Sequence, residues 1–494
     1  MKALAAFGKK HGFTALAWGL LFFFAVLYVS LIFNDNIVTD EAFTMQLLKG
    51  SVPEIIDGTA HDVHPPLYYL WAKLFRTFFG KSLRVQKLAA IFPMLFTLAL
   101  GPTVVKKSFG GLCAFLYVLF LSCVPCTMLF AIQVRMYSLA LFFVTAAALL
   151  AYALCAEKTR EGALPAGDTR FRFVLWAAYT LCVLGAAYTH YFAGVAVGFI
   201  HAVLFLFHFV SGRKKAWLAS TLGLLVGYAP WLAVFLTQLK GVAESYWIPP
   251  ITLQTLWGYC TWAFALERYP QTTYAFLLLL GAAAVFESTR LLRDKAGTFF
   301  RGRVFALLCM LLPLLVCLFG VLFSLLVRPI YRDQYALPAM GALAVFFAVA
   351  YTDVSKRAAD RISPLLTALG LGSVVLFLLF TGAEQYRENR YEEYYSSYVP
   401  QTEAFFKENL QPDDCIVYTD EDADYIASVS PKAVTVRMRY TSLEPVSCIQ
   451  GGRDPKSMLF VGFMGSRPEA DAVEWFCSEI LPSVVGRIPD VRFR

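Results

Sequence analysis

The sequence predicts an α-helical polytopic membrane protein, with about eleven transmembrane helices and a small extracytoplasmic α/β domain at its C-terminal end. Three observations carry that reading. First, 58% of the 494 residues are hydrophobic and only 16% are charged, with a mean hydropathy of +0.58. A soluble chain averages about 25% charged residues, so this one cannot cover itself with a water-compatible surface. Second, apolar runs long enough to cross a bilayer recur along the first 383 residues. Third, every second connection between those runs is basic.

The runs cover 13–33, 86–105, 111–131, 137–155, 173–190, 192–210, 216–236, 272–289, 304–327, 336–352 and 364–382. Each approaches the roughly 20 apolar residues that a bilayer core of about 30 Å requires. The first run follows Lys2, Lys9 and Lys10, as a secretory signal would, but it is too long for a signal core and no small-residue cleavage site follows it. It reads as an uncleaved first span. The basic connections hold Lys106 and Lys107; Lys158, Arg160, Arg170 and Arg172; Arg213, Lys214 and Lys215; Arg290, Arg293, Lys295, Arg301 and Arg303; and Lys356, Arg357 and Arg361. Positively charged loops stay in the cytoplasm. The net charge of +8 is thus a topological signal and not a nucleic-acid footprint.

With a cytoplasmic N-terminus and an odd number of spans, the loop 34–85 and the tail 384–494 are expected outside the cell membrane. The tail carries strand-like runs, "CIVYT", "AVTVRM" and "MLFVGF", between helix-like ones, "PQTEAFFKENL" and "PEADAVEWFCSEI". The expected division is a transmembrane domain, 1–383, and an α/β domain, 384–494. Of 11 cysteines, Cys415, Cys448 and Cys477 fall in the tail, enough for one disulfide and a spare thiol. Cys123 and Cys126 lie inside a span, where packing is the expected role.

Ionisable groups in a membrane are costly, so their depth is informative. The middles of the runs are almost free of them; His201 reads as a structural histidine with satisfied hydrogen bonds. Polar residues crowd the expected outer ends instead. These are Asp35, Asp40, Glu41, His61, Asp62 and His64; Gln133, Arg135 and Tyr137; Tyr188, Thr189, His190 and Tyr191; Glu244, Tyr246 and Trp247; Glu267 and Arg268; and Arg328, Tyr331, Arg332 and Asp333. A proton- or ion-coupled transporter places carboxylates near the bilayer midplane, and this pattern is shallower. Outside the cytoplasm, bond-forming chemistry must draw on a lipid-carried activated group. A polyprenyl-phosphate sugar is one: transfer from it needs a carboxylate base for the acceptor hydroxyl and cations for the departing phosphate.

The motifs "VTDEAFT" (38–44), "HPPLYY" (64–69), "QVRMYSLAL" (133–141), "AYTHYFAG" (187–194) and "RPIYRDQYALPAMGALAV" (328–345) follow one another in this order. Together they resemble the bacterial protein O-mannosyltransferase-like enzymes of the glycosyltransferase family 39 type, which include the lipid A aminoarabinose transferases. The resemblance runs from the first span to about residue 350. It implies the GT-C fold and an inverting transfer of a hexosyl or pentosyl group from a polyprenyl monophosphate carrier to a protein, lipid or cell-wall glycan. It matches the acidic pair of the first outer loop to Asp40 and Glu41, with Asp40 as base. It matches interfacial helices of that loop to about 40–50 and 65–80, the second started by Pro65–Pro66 and embedded by Tyr68, Tyr69, Trp71, Phe75 and Phe78. His64, Arg135, Tyr137, His190 and Arg332 are the donor phosphate and sugar candidates. The aminoarabinose enzymes carry a lysine before their paired prolines where this chain has His64. Their Arg-Tyr near the tenth span is interrupted here as "YRDQYALP". No cofactor is implied with certainty; a divalent metal has His61, Asp62 and His64 as candidate ligands. The alternative from another class is a flippase or transporter of a lipid-linked sugar. A scaffold whose outer domain binds a partner leaves the polar clusters of the transmembrane part unexplained.

Overall fold

The computed structural model describes residues 2–34, 38–155, 169–210, 214–244, 248–266, 268–293, 298–391, 415–419, 434–438 and 458–461. The chain forms two compact units: residues 1–35 with 50–391, and residues 36–49 with 392–494. The expected boundary at 383 falls inside a helix that runs on to Tyr391.

In chain order the helices are α1 (Lys2–Ser30), α2 (Thr39–Leu47), α3 (Val52–Ala60), α4 (Leu67–Phe79), α5 (Leu83–Leu100), α6 (Lys106–Phe109), α7 (Gly111–Cys123), α8 (Pro125–Ile132) and α9 (Tyr137–Cys155). They continue as α10 (Thr169–Thr189), α11 (Tyr191–Val210), α12 (Lys214–Glu244), α13 (Leu253–Thr261), α14 (Pro270–Arg293), α15 (Thr298–Leu326), α16 (Met340–Arg361) and α17 (Pro364–Tyr391). Among the described residues, ten helical segments are long and apolar enough to cross a membrane, and the bent pair α7–α8 makes an eleventh if it is one span. The bend of 67° has a local cause. Val124 precedes Pro125, and a residue before proline is pushed out of the α region; Val124 takes φ −70°, ψ 128°. The 13 residues of α7 reach about 20 Å at 1.5 Å per residue, short of a bilayer core, so α7 alone does not cross.

α7 is apolar all round and therefore central. Its Phe120 stacks on Phe347 of α16 at 4.3 Å. Small residues let the helices close on one another: a side chain at Gly341 of α16 would occupy the place of Thr145 of α9. Away from the 34–85 loop, Arg303 of α15 lies 3.4 Å from Glu287 of α14 and 2.9 Å from Asp353 of α16. The basic connections thus also tie helix ends together. His201 is satisfied as expected, 3.1 Å from the Tyr179 hydroxyl and 3.0 Å from Thr221 Oγ1. Cys123 and Cys126 are buried.

The loop 34–85 departs from expectation in two places. A nine-residue helix, α3, stands between the two expected ones; Glu54 reaches back to accept the Ser51 N–H at 2.6 Å, a helix-start device. α4 begins after Pro65–Pro66 as read, but two of the expected embedding aromatics, Tyr68 and Tyr69, face inward. Tyr68 and Tyr69 are fully buried, Phe75 nearly so, and Trp71 donates to the Ala89 carbonyl of α5 at 2.7 Å. Helical periodicity sets the split: Trp71 and Phe75, four apart, meet Phe96 and Phe92 of α5, whereas Leu74, Phe78 and Phe79 are left exposed.

In the second unit, β1 (Cys415–Thr419), β2 (Val434–Met438) and β3 (Met458–Val461) form a parallel sheet in the order β2-β1-β3. Val417 pairs with Val436 on one side and Phe460 on the other. Parallel neighbours require crossover connections; the expected helices around them, and Cys448 and Cys477 of the three tail cysteines, lie outside the described residues.

Candidate functional site

Within the first unit, a cavity of about 520 Å³ opens between α11, α12, α15 and the loop before α4. The lining is mostly apolar, with Phe235, Leu239, Val242, Phe319 and Phe323 in it, and it includes the polar side chains of His64, His190, Tyr191, Gln238 and Tyr335.

His190 occupies the junction of α10 and α11. Its Nδ1 accepts the Phe192 backbone N–H at 3.2 Å, so the ring caps the start of α11. An accepting Nδ1 carries no proton, which leaves the proton of the neutral ring on Nε2. Burial, and then the positive neighbours His64 and Arg135, hold the His190 pKa well below the ordinary histidine value, in agreement with that tautomer. Tyr137, Tyr335 and His64 surround the ring at centroid distances of 5.9, 5.1 and 6.1 Å.

His64 is held by its own loop. Its Nδ1 lies 2.9 Å from Asp62 Oδ2. Burial raises the Asp62 carboxyl, but the hydrogen bond and charge of His64, with Val63 N–H and Arg135, outweigh it and the pKa is lowered. Asp62 therefore serves His64 as an ionised partner that fixes the ring. His61 does not join them. It is exposed, and its Nδ1 turns back 2.9 Å from the Asp57 carbonyl of α3. His61, Asp62 and His64 are thus not gathered as ligands, and among the described residues no group of three histidine, cysteine or carboxylate side chains is placed to hold a metal ion.

Arg135 lies in the non-helical link between α8 and α9 and is 97% buried, with Nη1 3.3 Å from the Tyr69 hydroxyl of α4. It is close enough to shift both Asp62 and His190 electrostatically, though it does not itself line the cavity. Arg332 does not line it either; Ile330 and Tyr335 on either side of it do. It precedes the 3₁₀ turn Asp333–Ala339, near Tyr259.

Asp40 and Glu41 lie in the other unit, in the first turn of α2. Their surroundings differ. Glu41 is buried, and its Oε2 accepts the Val38 N–H at 2.9 Å, closing the helix start. Asp40 is exposed. Of the polar residues singled out at the expected outer ends, Asp35, Tyr246, Trp247 and Glu267 lie outside the described residues, as does the side chain of Glu244. Sequence reading missed Tyr69, Tyr335 and Gln238. The two tyrosines stand inside the quoted motifs; Gln238 is a polar amide in an apolar span, which intramembrane cost flags.

The helical bundle has the GT-C fold that the motifs imply, as a solved structure that it matches bears out. A crystal structure of ArnT from Cupriavidus metallidurans bound to undecaprenyl phosphate is similar over 87% of this chain and 87% of that chain, at 14% identity and a TM-score of 0.51. The apo-state structure of ArnT from the same organism is similar over 75% and 78%, at 13% identity and a TM-score of 0.48. No protein-family model matches the sequence, and no curated protein matches it.

Proposed function

We propose that this chain is an inverting glycosyltransferase that moves a sugar from a polyprenyl-phosphate carrier to an acceptor on the outer face of the cytoplasmic membrane. The cavity carries the reading: an apolar wall fits a prenyl chain, and its polar corner, His64 and His190 with Arg135 behind them, fits an anionic headgroup. That the similar ArnT structure holds undecaprenyl phosphate supports the same ligand class here. In the reaction, the acceptor oxygen bonds to the sugar's anomeric carbon, the bond from that carbon to the phosphate oxygen breaks, and a carboxylate takes the acceptor's proton. Asp40 is that base; Arg135, His64, His190 and Tyr137 hold the donor, with Arg332 beside the wall.

Purified protein is expected to bind undecaprenyl phosphate saturably, and mass spectrometry of envelope glycans and glycoproteins is expected to lose one glycoform when the gene is deleted. Unchanged envelope glycans together with absent binding would overturn the reading. The active face is tested by fusion after Arg494. Alkaline phosphatase is expected to be active there and a green fluorescent reporter dark; the reverse pair of results overturns the outward placement of the C-terminal unit.

A further inference from the structure

Gln238 lies in α12 and is 93% buried. Its Nε2 donates to the Thr59 carbonyl at 2.8 Å and to the Ala60 carbonyl at 3.3 Å. Its Oε1 accepts from the Tyr191 hydroxyl, which in turn accepts from Trp231 Nε1 at 3.1 Å. Carbonyls only accept, so the amide orientation is fixed by its partners.

The two carbonyls belong to the last turn of α3, where the helix ends; the Thr59 carbonyl also accepts the Asp62 N–H at 3.3 Å. The chain then runs through Asp62 and His64 to the buried Pro65–Pro66. Residues 61–64 are thus pinned on one side by a side chain 178 or 179 residues away and on the other by two rigid rings. At its far end the same network holds Tyr191, the residue after His190. Its two arms therefore end beside the two histidines whose rings stand 6.1 Å apart at the cavity's polar corner.

We propose that Gln238 is a positioning residue for the donor headgroup. It touches no reacting atom by this account; it acts through the 59–64 backbone to set where His64 stands relative to His190. The proposal rests on the donor-site reading above. An amide bridging three elements is also what a simple stability tether looks like, so the test must separate the two.

Gln238→Glu keeps the shape but turns an acceptor toward two carbonyls, which releases the loop. In folded protein, hydrogen exchange of amides 61–64 is expected to accelerate about tenfold while those of α12 stay protected. The KM for a polyprenyl-phosphate sugar is expected to rise about tenfold with kcat changed less than about threefold. The deciding arm is a double-mutant cycle with His64→Ala: once His64 is gone, Gln238→Glu should cost less than about twofold. Tyr191→Phe, which removes one hydroxyl, should move exchange and KM in the same direction by a smaller factor, and stands in if the glutamate variant does not fold. Equal costs with and without His64, or unchanged loop exchange in both folded variants, overturn the proposal. If wild-type protein binds no polyprenyl phosphate, the donor-site reading fails and the positioning role with it, while the exchange measurement still decides whether Gln238 pins the loop.

Discussion

Asp40→Asn is expected to abolish sugar transfer while leaving expression and donor binding close to wild type. An acceptor hydroxyl is a poor nucleophile until its proton leaves as the new bond forms, and a positioned base contributes about 10²–10⁴ in rate. The sugar carbon gains oxocarbenium character in the same step, which a nearby anion favours. Within the acidic pair the division of labour follows from α2. Val38 has no side chain able to cap the helix, and Glu41 does so from the third position, accepting the Val38 N–H at 2.9 Å. Adjacent helical residues diverge by about 100°, so Asp40 is turned outward when Glu41 is turned in. Glu41→Gln keeps an accepting oxygen and should retain most activity; Glu41→Ala should loosen the helix start, at a cost of about 1 kcal/mol. Initial rates with a polyprenyl-phosphate sugar in vesicles measure this. Near wild-type turnover by Asp40→Asn, with Glu41→Gln or Asp35→Asn dead, would show that the base is another carboxylate.

The spans were legible because lipid imposes one rule on every crossing helix, apolar length, and hydropathy reads that rule directly. The break at Val124 was also written locally, in a residue before proline, but it lies inside an apolar run that reads as one span. The inward turn of Tyr68 and Tyr69 was not legible. An aromatic stripe suits a headgroup boundary and a protein core equally, and only distant neighbours such as Arg135, whose guanidinium meets the Tyr69 hydroxyl, decide between them. The candidate site divides the same way. Asp62 and His64 stand two apart in a loop, so their pairing is local; His61 was grouped with them because the end of α3, which turns its ring toward Asp57, was not foreseen. His190 as a cap on α11 runs against residue preference, since histidine is not among the favoured caps. Gln238 and Thr59 are 179 residues apart, and no periodicity links them.

Arg135→Ala is expected to lower kcat/KM for the donor by about 10²–10³, the usual cost of removing one donor aimed at developing anionic charge. The magnitude follows from burial. A unit charge about 4 Å from a phosphate is worth ~1 kcal/mol in water and ~4 kcal/mol at an effective dielectric of 20, and Arg135 is 97% buried. Leaving phosphate gains negative charge as the bond to the sugar breaks, so the loss should fall on kcat as well as on binding. His190 cannot replace the arginine, because its Nδ1 is committed to the Phe192 N–H and its pKa is held well below the ordinary range. His64 is tied to Asp62 at 2.9 Å, so that pair supplies no net positive charge. Arg135→Lys keeps the charge but loses the planar fork and its reach to the Tyr69 hydroxyl; it should fall between wild type and alanine. Tyr69→Phe, which releases one guanidinium contact and leaves the charge in place, should cost less than about tenfold. Transfer rates, undecaprenyl phosphate binding and thermal unfolding of the three variants in one detergent separate the cases. A folded Arg135→Ala protein that transfers sugar at the wild-type rate removes Arg135 from the donor site and leaves the polar corner without its permanent cation.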